Sequence, residues 1–443
     1  MNNLERYQNI SVLGAAGKMG SGILLLNVLH SVRLMHQPQH AGKTFVIHAI
    51  DQNYERLEGL MKYLKTQVLK WAEKNIVELR KQFIRRSHLI DNKDIIEAFV
   101  NDAISIVKPS VTIESAYQSY LIFEAIIEDE TAKTDVLRKI KVNNPNHPFF
   151  LSNTSAIPIS VLDDKAGLDK HIIGCHFYNP PAVQKVIEVV ELNDGLPELS
   201  QLVHGFATQM NKLIVEANDI AGFIGNGFFM REIIYAVDLY ESLRKELSPA
   251  EALLAVDKVS HELLVRPMGI FQLMGYVGID VCSLIMRVMD TYLDEPLQCP
   301  FLDDILNKGF RGGQNADGTQ KDGYFKYNRG KAVEVLDIET QQYVSIDAIE
   351  PVVNNFLAVS TKVYSWNQLN RSKYKEKHLN EYFESIRREE SRGALLAKDY
   401  MLSMKEIGQK LYDDGVTNSV DNVNSVMMNG FYYLYGPVNN FIK

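Results

Sequence analysis

The chain has 443 residues, 46% of them apolar and 23% charged, a balance that excludes a disordered or collagen-like polypeptide and gives core enough for roughly two to four domains. A formal net charge of −8 argues against nucleic acid as the main partner, because a polyanion requires a basic face. The three scattered cysteines, Cys175, Cys282 and Cys299, make neither a disulfide framework nor a CxxC metal pair.

The opening Met1–Gly14 has no basic stretch followed by an apolar core, and no run reaches the roughly 18 apolar residues of a membrane span. A cytoplasmic protein is therefore expected. In chain order, Ile10–Leu13, Phe45–Ile50, Ile104–Val107, Tyr120–Ile127, Phe149–Leu151 and His171–Cys175 read as buried strands, with helical patterns such as Tyr54–Val77 and Ala132–Lys139 between them. That alternation predicts an α/β, doubly wound parallel sheet over residues 1–218. From Ala221 onward long helices are expected, Phe228–Leu247 and Pro249–Leu264 among them. A loop rich in Gly, Asn, Asp and Lys covers Lys308–Lys331, and helices are expected to resume beyond it. The expected domains are 1–218, an all-α domain over 219–330, and a second helical domain over 331–443. Ala255-Val256-Asp257-Lys258-Val259 returns as Ser419-Val420-Asp421-Asn422-Val423, followed by Pro267-Met268-Gly269 and Gly436-Pro437 respectively. This is either a chance likeness of two helix starts or a tandem duplication.

Two segments carry chemistry. Gly14-Ala15-Ala16-Gly17-Lys18-Met19-Gly20 follows the first strand and opens a helix, where glycines let backbone N–H groups approach a pyrophosphate and the helix dipole favours it. The spacing is GxxGxxG, one residue longer than the usual dinucleotide turn. Asp51 ends the second strand, placed either to bond a ribose 2′-OH, which favours NAD over NADP, or to cap a helix. The second segment runs from His176 to Glu188 through Pro180-Pro181. A hairpin centred near Ala182 would set these two side chains opposite each other on one face, a base with the carboxylate that orients it. From spacing alone, a solvated surface pair is the alternative.

These segments resemble the L-3-hydroxyacyl-CoA dehydrogenase family, together with Glu124-Ala125-Ile126-Ile127-Glu128, Ser152-Asn153-Thr154-Ser155, Asp219-Ile220-Ala221-Gly222-Phe223-Ile224-Gly225-Asn226, Pro267-Met268-Gly269 and Tyr276-Val277-Gly278-Ile279-Asp280. The likeness covers roughly residues 9–327. It implies a dinucleotide-binding, Rossmann-like domain followed by all-α domains, with NAD as cofactor and an acyl-CoA as substrate. It further implies hydride transfer from C3 of an L-3-hydroxyacyl-CoA in fatty-acid β-oxidation or butanoate-type metabolism. His176 would be the base and Glu188 its orienting partner, while Ser155 and Asn226 line the substrate pocket. Gly14, Gly17, Lys18, Met19, Gly20 and Asp51 would hold the cofactor, with Glu124 and Asn179 toward the nicotinamide and Lys321 close by. Lys74 falls where the family places a CoA-contacting lysine. The bland alternatives are a turn cap for Ser155, a helix start for Asn226 and a solvated lysine for Lys74.

The chain departs from the family at Gly227, where arginine is usual, at Ile270, where proline is, and at Gly275, where an acidic residue is. Other readings are an NAD-dependent dehydrogenase of a free 3-hydroxy acid, and a non-catalytic acyl-CoA- or NAD-binding subunit. A second helical copy in the chain could cover the surface that single-domain relatives bury between subunits, so a monomer is weighed against a homodimer.

Overall fold

Eight strands make the first sheet: β1 (Asn9–Leu13), β2 (Val46–Ile50), β3 (Val107–Ser110), β4 (Leu121–Glu124), β5 (Phe149–Ser152), β6 (Ile172–Phe177), β7 (Val186–Val190) and β8 (Leu213–Ala217). Their order in the computed structural model is β3-β2-β1-β4-β5-β6-β7-β8. It describes residues 3–84, 86, 88–315 and 318–442. β1 through β6 pair in parallel, β7 runs antiparallel to β6, and β8 is parallel to β7. The central strands read as unbroken apolar runs because helices cover both faces, which is the rule for parallel sheets. The strand order reverses between β1 and β4, and the ends of those strands meet there, with Leu13 opposite Glu124. This is the crevice where doubly wound sheets bind ligands.

The expected strand at Ile104–Val107 is displaced. The helix Asn92–Ser105 uses the start of that apolar run, and β3 begins only at Val107. β3 is the edge strand, so Pro109 is accepted within it although it has no N–H to donate. The helix predicted over Tyr54–Val77 ends at Lys74, and a short second helix follows over Ile76–Gln82.

The chain divides into two compact units, Met1–Asp219 and Ile220–Lys443. The second is built on the long helix Gly225–Leu243. On it pack Pro249–Lys258, Arg392–Asp413 and Val420–Gly430. Inside this unit the buried carboxylate of Glu232 pairs with Arg266. It also accepts hydrogen bonds from the hydroxyls of Tyr400 (2.9 Å) and Tyr433 (3.1 Å). β9 (Phe325–Asn328) falls within the expected loop, and where helices were expected to resume it is joined by β10 (Lys331–Asp337) and β11 (Gln342–Ser345) in a three-stranded antiparallel sheet. The alternation Phe325, Lys326, Tyr327, Asn328 is a period-two signal that the loop reading passed over. Residues 316 and 317 of the preceding loop lie outside the described residues. Among the described residues no single helix is long and apolar enough to cross a membrane.

Candidate active site

The glycine turn leaves β1 with Gly14 at φ +71°, and a Cβ there would lie 2.4 Å from the Ala125 carbonyl oxygen, so the turn closes only on a residue without a side chain. The extra residue of the turn has a clear place. The Ala16 N–H donates to Asp51 Oδ2 at 3.0 Å, and Asn53 N–H donates to the other oxygen at 3.3 Å. The following helix is capped by Asn53, which accepts from Arg56 N–H at 2.9 Å, so Asp51 is not that helix's cap. Gly17 is the N-cap of the Lys18–Met35 helix, and no side chain caps this end. A side-chain-free turn at the switch point, an uncapped helix start and a carboxylate at the end of β2 fit a dinucleotide.

The His176–Glu188 pair forms as the even spacing requires. β6 and β7 are antiparallel with His176 opposite Glu188, and His176 Nδ1 lies 3.0 Å from Glu188 Oε1. Both side chains are buried, Glu188 completely. The carboxylate beside Nδ1 fixes the proton there and leaves Nε2 as the basic ring nitrogen. The hairpin is anchored at its tip. Pro181 packs so closely on Gly22 that a Cβ at Gly22 would come 2.7 Å from Pro181 Cδ. Lys212, leading into β8, donates to the carbonyls of Pro181 and Gln184, each at 2.5 Å.

A buried charge network stands beside it. Lys133 Nζ reaches Glu124 Oε1 at 2.6 Å and Glu128 Oε2 at 3.3 Å, and Ser152 donates to the second oxygen of Glu124 at 2.6 Å. Glu128 Oε1 collects Thr154 Oγ1 (2.6 Å), the Ser155 and Ala156 N–H groups (2.7 and 2.8 Å) and Ser155 Oγ (3.2 Å). Burial alone would raise the Glu128 carboxyl, but Lys133 and these donors more than offset it and hold it below the ordinary range. Burial would likewise lower Lys133, yet the two carboxylates push it up. Ser155 is thus positioned by a carboxylate rather than left as a turn cap. Asn153 Oδ1 accepts from Phe177 N–H at 2.9 Å, tying the same loop to the end of β6.

Within the first unit, therefore, the structure gathers Gly14, Gly17, Lys18, Met19, Gly20 and Asp51 at the turn. It pairs His176 with Glu188, sets Asn179 just past β6, and fixes Glu124 and Ser155 in the charge network. Lys74 is exposed at the last turn of its helix. Asn226 and Lys321 belong to the second unit. Asn226 lies half-buried in the first turn of Gly225–Leu243, and Lys321 is exposed, its N–H bonded to the Gly313 carbonyl at 2.9 Å. The sequence reading missed Lys133, Lys212, Glu128 as an anchor, and Tyr178, whose hydroxyl donates to Glu188 at 2.6 Å. Only Tyr178 carried a usable signal, sitting two residues beyond His176 on an extended segment.

The doubly wound sheet with its glycine turn at the switch point is the architecture of a dinucleotide-binding domain. Residues 9–220 match the family model for the 3-hydroxyacyl-CoA dehydrogenase NAD-binding domain, and residues 222–322 match that for the C-terminal domain of the same enzymes. A probable 3-hydroxybutyryl-CoA dehydrogenase of Bacillus subtilis is 30% identical over 312 residues, covering 69% of this chain and 95% of its own. The mitochondrial hydroxyacyl-coenzyme A dehydrogenase of Sus scrofa is 26% identical, covering 71% and 91%. In fold, the chain is similar to the crystal structure of 3-hydroxybutyryl-CoA dehydrogenase from Escherichia coli K12, with a TM-score of 0.64 at 16% identity over 98% of this chain and 90% of that one. The chain belongs to the 3-hydroxyacyl-CoA dehydrogenase family, and it is an NAD-dependent oxidoreductase.

Proposed function

We propose that His176 is the base that takes the 3-hydroxyl proton of an L-3-hydroxyacyl-CoA, with Glu188 as its orienting partner. The observation that carries this is the 3.0 Å contact between His176 Nδ1 and Glu188 Oε1 on facing strands of the unit that holds the glycine turn. NAD, when bound, supplies the hydride acceptor at C4 of its nicotinamide. In oxidation His176 accepts the alcohol proton at Nε2, and the adjacent carboxylate stabilises the imidazolium that results. In reduction the protonated ring returns that proton to the developing alkoxide. Ser155, held by Glu128, and Asn226 supply the dipoles that hold the substrate oxygens. In this reading the turn residues cradle the pyrophosphate, Asp51 meets the ribose, Glu124, Asn179 and Lys321 serve the cofactor, and Lys74 takes a CoA phosphate.

Short chains come first among substrates, because the Bacillus subtilis relative is named a probable 3-hydroxybutyryl-CoA dehydrogenase. A cytoplasmic location accords with three free cysteines. The expected experiment is NADH oxidation with acetoacetyl-CoA, with free acetoacetate and NADPH as controls. Turnover is expected only with the CoA ester and NADH, and His176→Gln should lower kcat by roughly 10²–10⁴. A near-normal kcat in that variant would remove His176 from the mechanism.

Residues 331–443 form a diverged second copy of the helical domain at 219–330. A geometric echo supports this. A Cβ on Gly269 would lie 2.2 Å from the Asp257 carboxylate, and one on Gly436 would lie 2.1 Å from the Asn424 amide, with twelve residues between partners in each case (257 to 269, 424 to 436). Asp257 accepts from Gln272 N–H at 3.0 Å, and Asn424 accepts from Val438 N–H at 3.0 Å. The echo aligns Asp257 with Asn424, three residues beyond Asp421, where the sequence likeness placed it.

A further inference from the structure

Glu188 Oε1 serves two donors at once. His176 Nδ1 approaches at 3.0 Å and the Tyr178 hydroxyl at 2.6 Å, the shorter of the two. Tyr178 lies one residue past the end of β6, so strand alternation returns it to the face that carries His176. The two rings are 5.1 Å apart and tilted by 47°. Burial and the adjacent carboxylate hold the Tyr178 phenol well above its ordinary range, so it remains a donor throughout the working pH of the protein.

We infer that Tyr178 is a positioning residue for proton transfer: its hydroxyl pins the Glu188 carboxylate and takes a share of the negative charge on the oxygen that faces His176. A carboxylate oxygen already engaged by one donor stabilises an imidazolium less. The Tyr178 hydrogen bond thus draws charge away from the contact with His176 Nδ1, in the sense that suits a base working in oxidation. The surroundings bring other groups. β7 supplies Glu188 itself, β8 places the apolar Val215 beyond it, and β5 extends to Asn153. Lys212 is held on the turn carbonyls, and the Ile159–Ala166 helix brings Asp219 onto the Ile159 and Ser160 amides.

The inference rests on His176 acting as base, and the test separates the two. The full-length protein is assayed for NAD reduction with 3-hydroxybutyryl-CoA across pH, and kcat/KM is fitted for its acid limb. Tyr178→Phe removes the donor, and the acid limb should move up by roughly 0.5–1 pH unit. Placing 3-fluorotyrosine at 178 makes the phenol a stronger donor, and the limb should move down. This second variant answers the question even where the first folds poorly. Opposite shifts uphold the role. An acid limb that coincides in all three proteins, or moves the same way in both variants, overturns it. If the limb survives in His176→Gln, it is the base assignment that fails. If it vanishes there yet ignores position 178, only the Tyr178 inference fails.

Discussion

Lys133 carries a charge at 1% side-chain exposure, and it persists there because Glu124 and Glu128 meet it from two sides. Removing one partner of such a set leaves buried carboxylates uncompensated, which costs roughly 3–5 kcal/mol. Lys133→Met should therefore lower the urea midpoint of unfolding sharply, and an unmoved midpoint would show that the carboxylates do not depend on it. Because Glu128 also gathers the Thr154, Ser155 and Ala156 donors, the same variant should raise KM for the acyl-CoA. At this scale legibility was uneven. The His176–Glu188 pair could be read from an even spacing about a Pro-Pro turn, since strand geometry converts parity into facing. The Lys133 network could not, because its members meet through the packing of the Glu130–Asn143 helix on two strand ends rather than through any period.

The hairpin and the small sheet mark the limits of reading elements. The six expected strands of the first unit recur with shifts of a few residues, and the largest shift, at β3, comes from a helix that consumes the apolar run before it. β9 alternates apolar and polar but lies in a stretch dominated by loop composition, and β10 and β11 (KAVEVLD and QYVS) carry no clean alternation to mark them. Gly22 shows what an element contact demands. A methyl group there meets the ring of Pro181 at 2.7 Å, and a proline ring cannot swing aside as a flexible side chain would. Gly22→Ala should displace the hairpin and lower kcat by roughly 10–100-fold with the far-ultraviolet circular dichroism unchanged. An unaltered kcat would mean that the turn absorbs the methyl group. Further along, Glu389 accepts from the Ser360 and Thr361 N–H groups at 2.6 and 2.9 Å and from Ser391 Oγ at 2.7 Å. Burial pushes its carboxyl up, but these donors win and hold it at about 2. With the folded value below the ordinary 4.5, its contribution is complete above that pH and lost as the pH falls through about 2. Glu389→Gln should thus melt below the parent protein at pH 6, with the gap closing toward pH 2. A gap independent of pH would point to shape rather than charge.

On the scale of the whole chain, residues 400 and 433 supply hydroxyls to Glu232, a carboxylate on the opening helix of the second unit. The tail thus satisfies a buried charge of the part that precedes it. If the tail also covers the apolar face that single-domain relatives bury between subunits, a second copy has little left to share. Sedimentation velocity at nanomolar concentration should show a single species of monomer mass, and a dimer persisting there would count against this. The division into a sheet-based and a helical half was legible because hydrophobic period changes near residue 218, whereas the proposed alignment of the tail with residues 219–330 draws on the Asn424–Gly436 contact, which no sequence period marks. The Lys18–Met35 helix opens at the glycine turn and, one turn later, receives the tip of the hairpin between β6 and β7. The proposed cradle and the proposed base are therefore two marks on a single ruler, and drift in the surrounding sheet carries both together. The spacing between them is thus a fixed calibration, and acyl preference can diverge without resetting it.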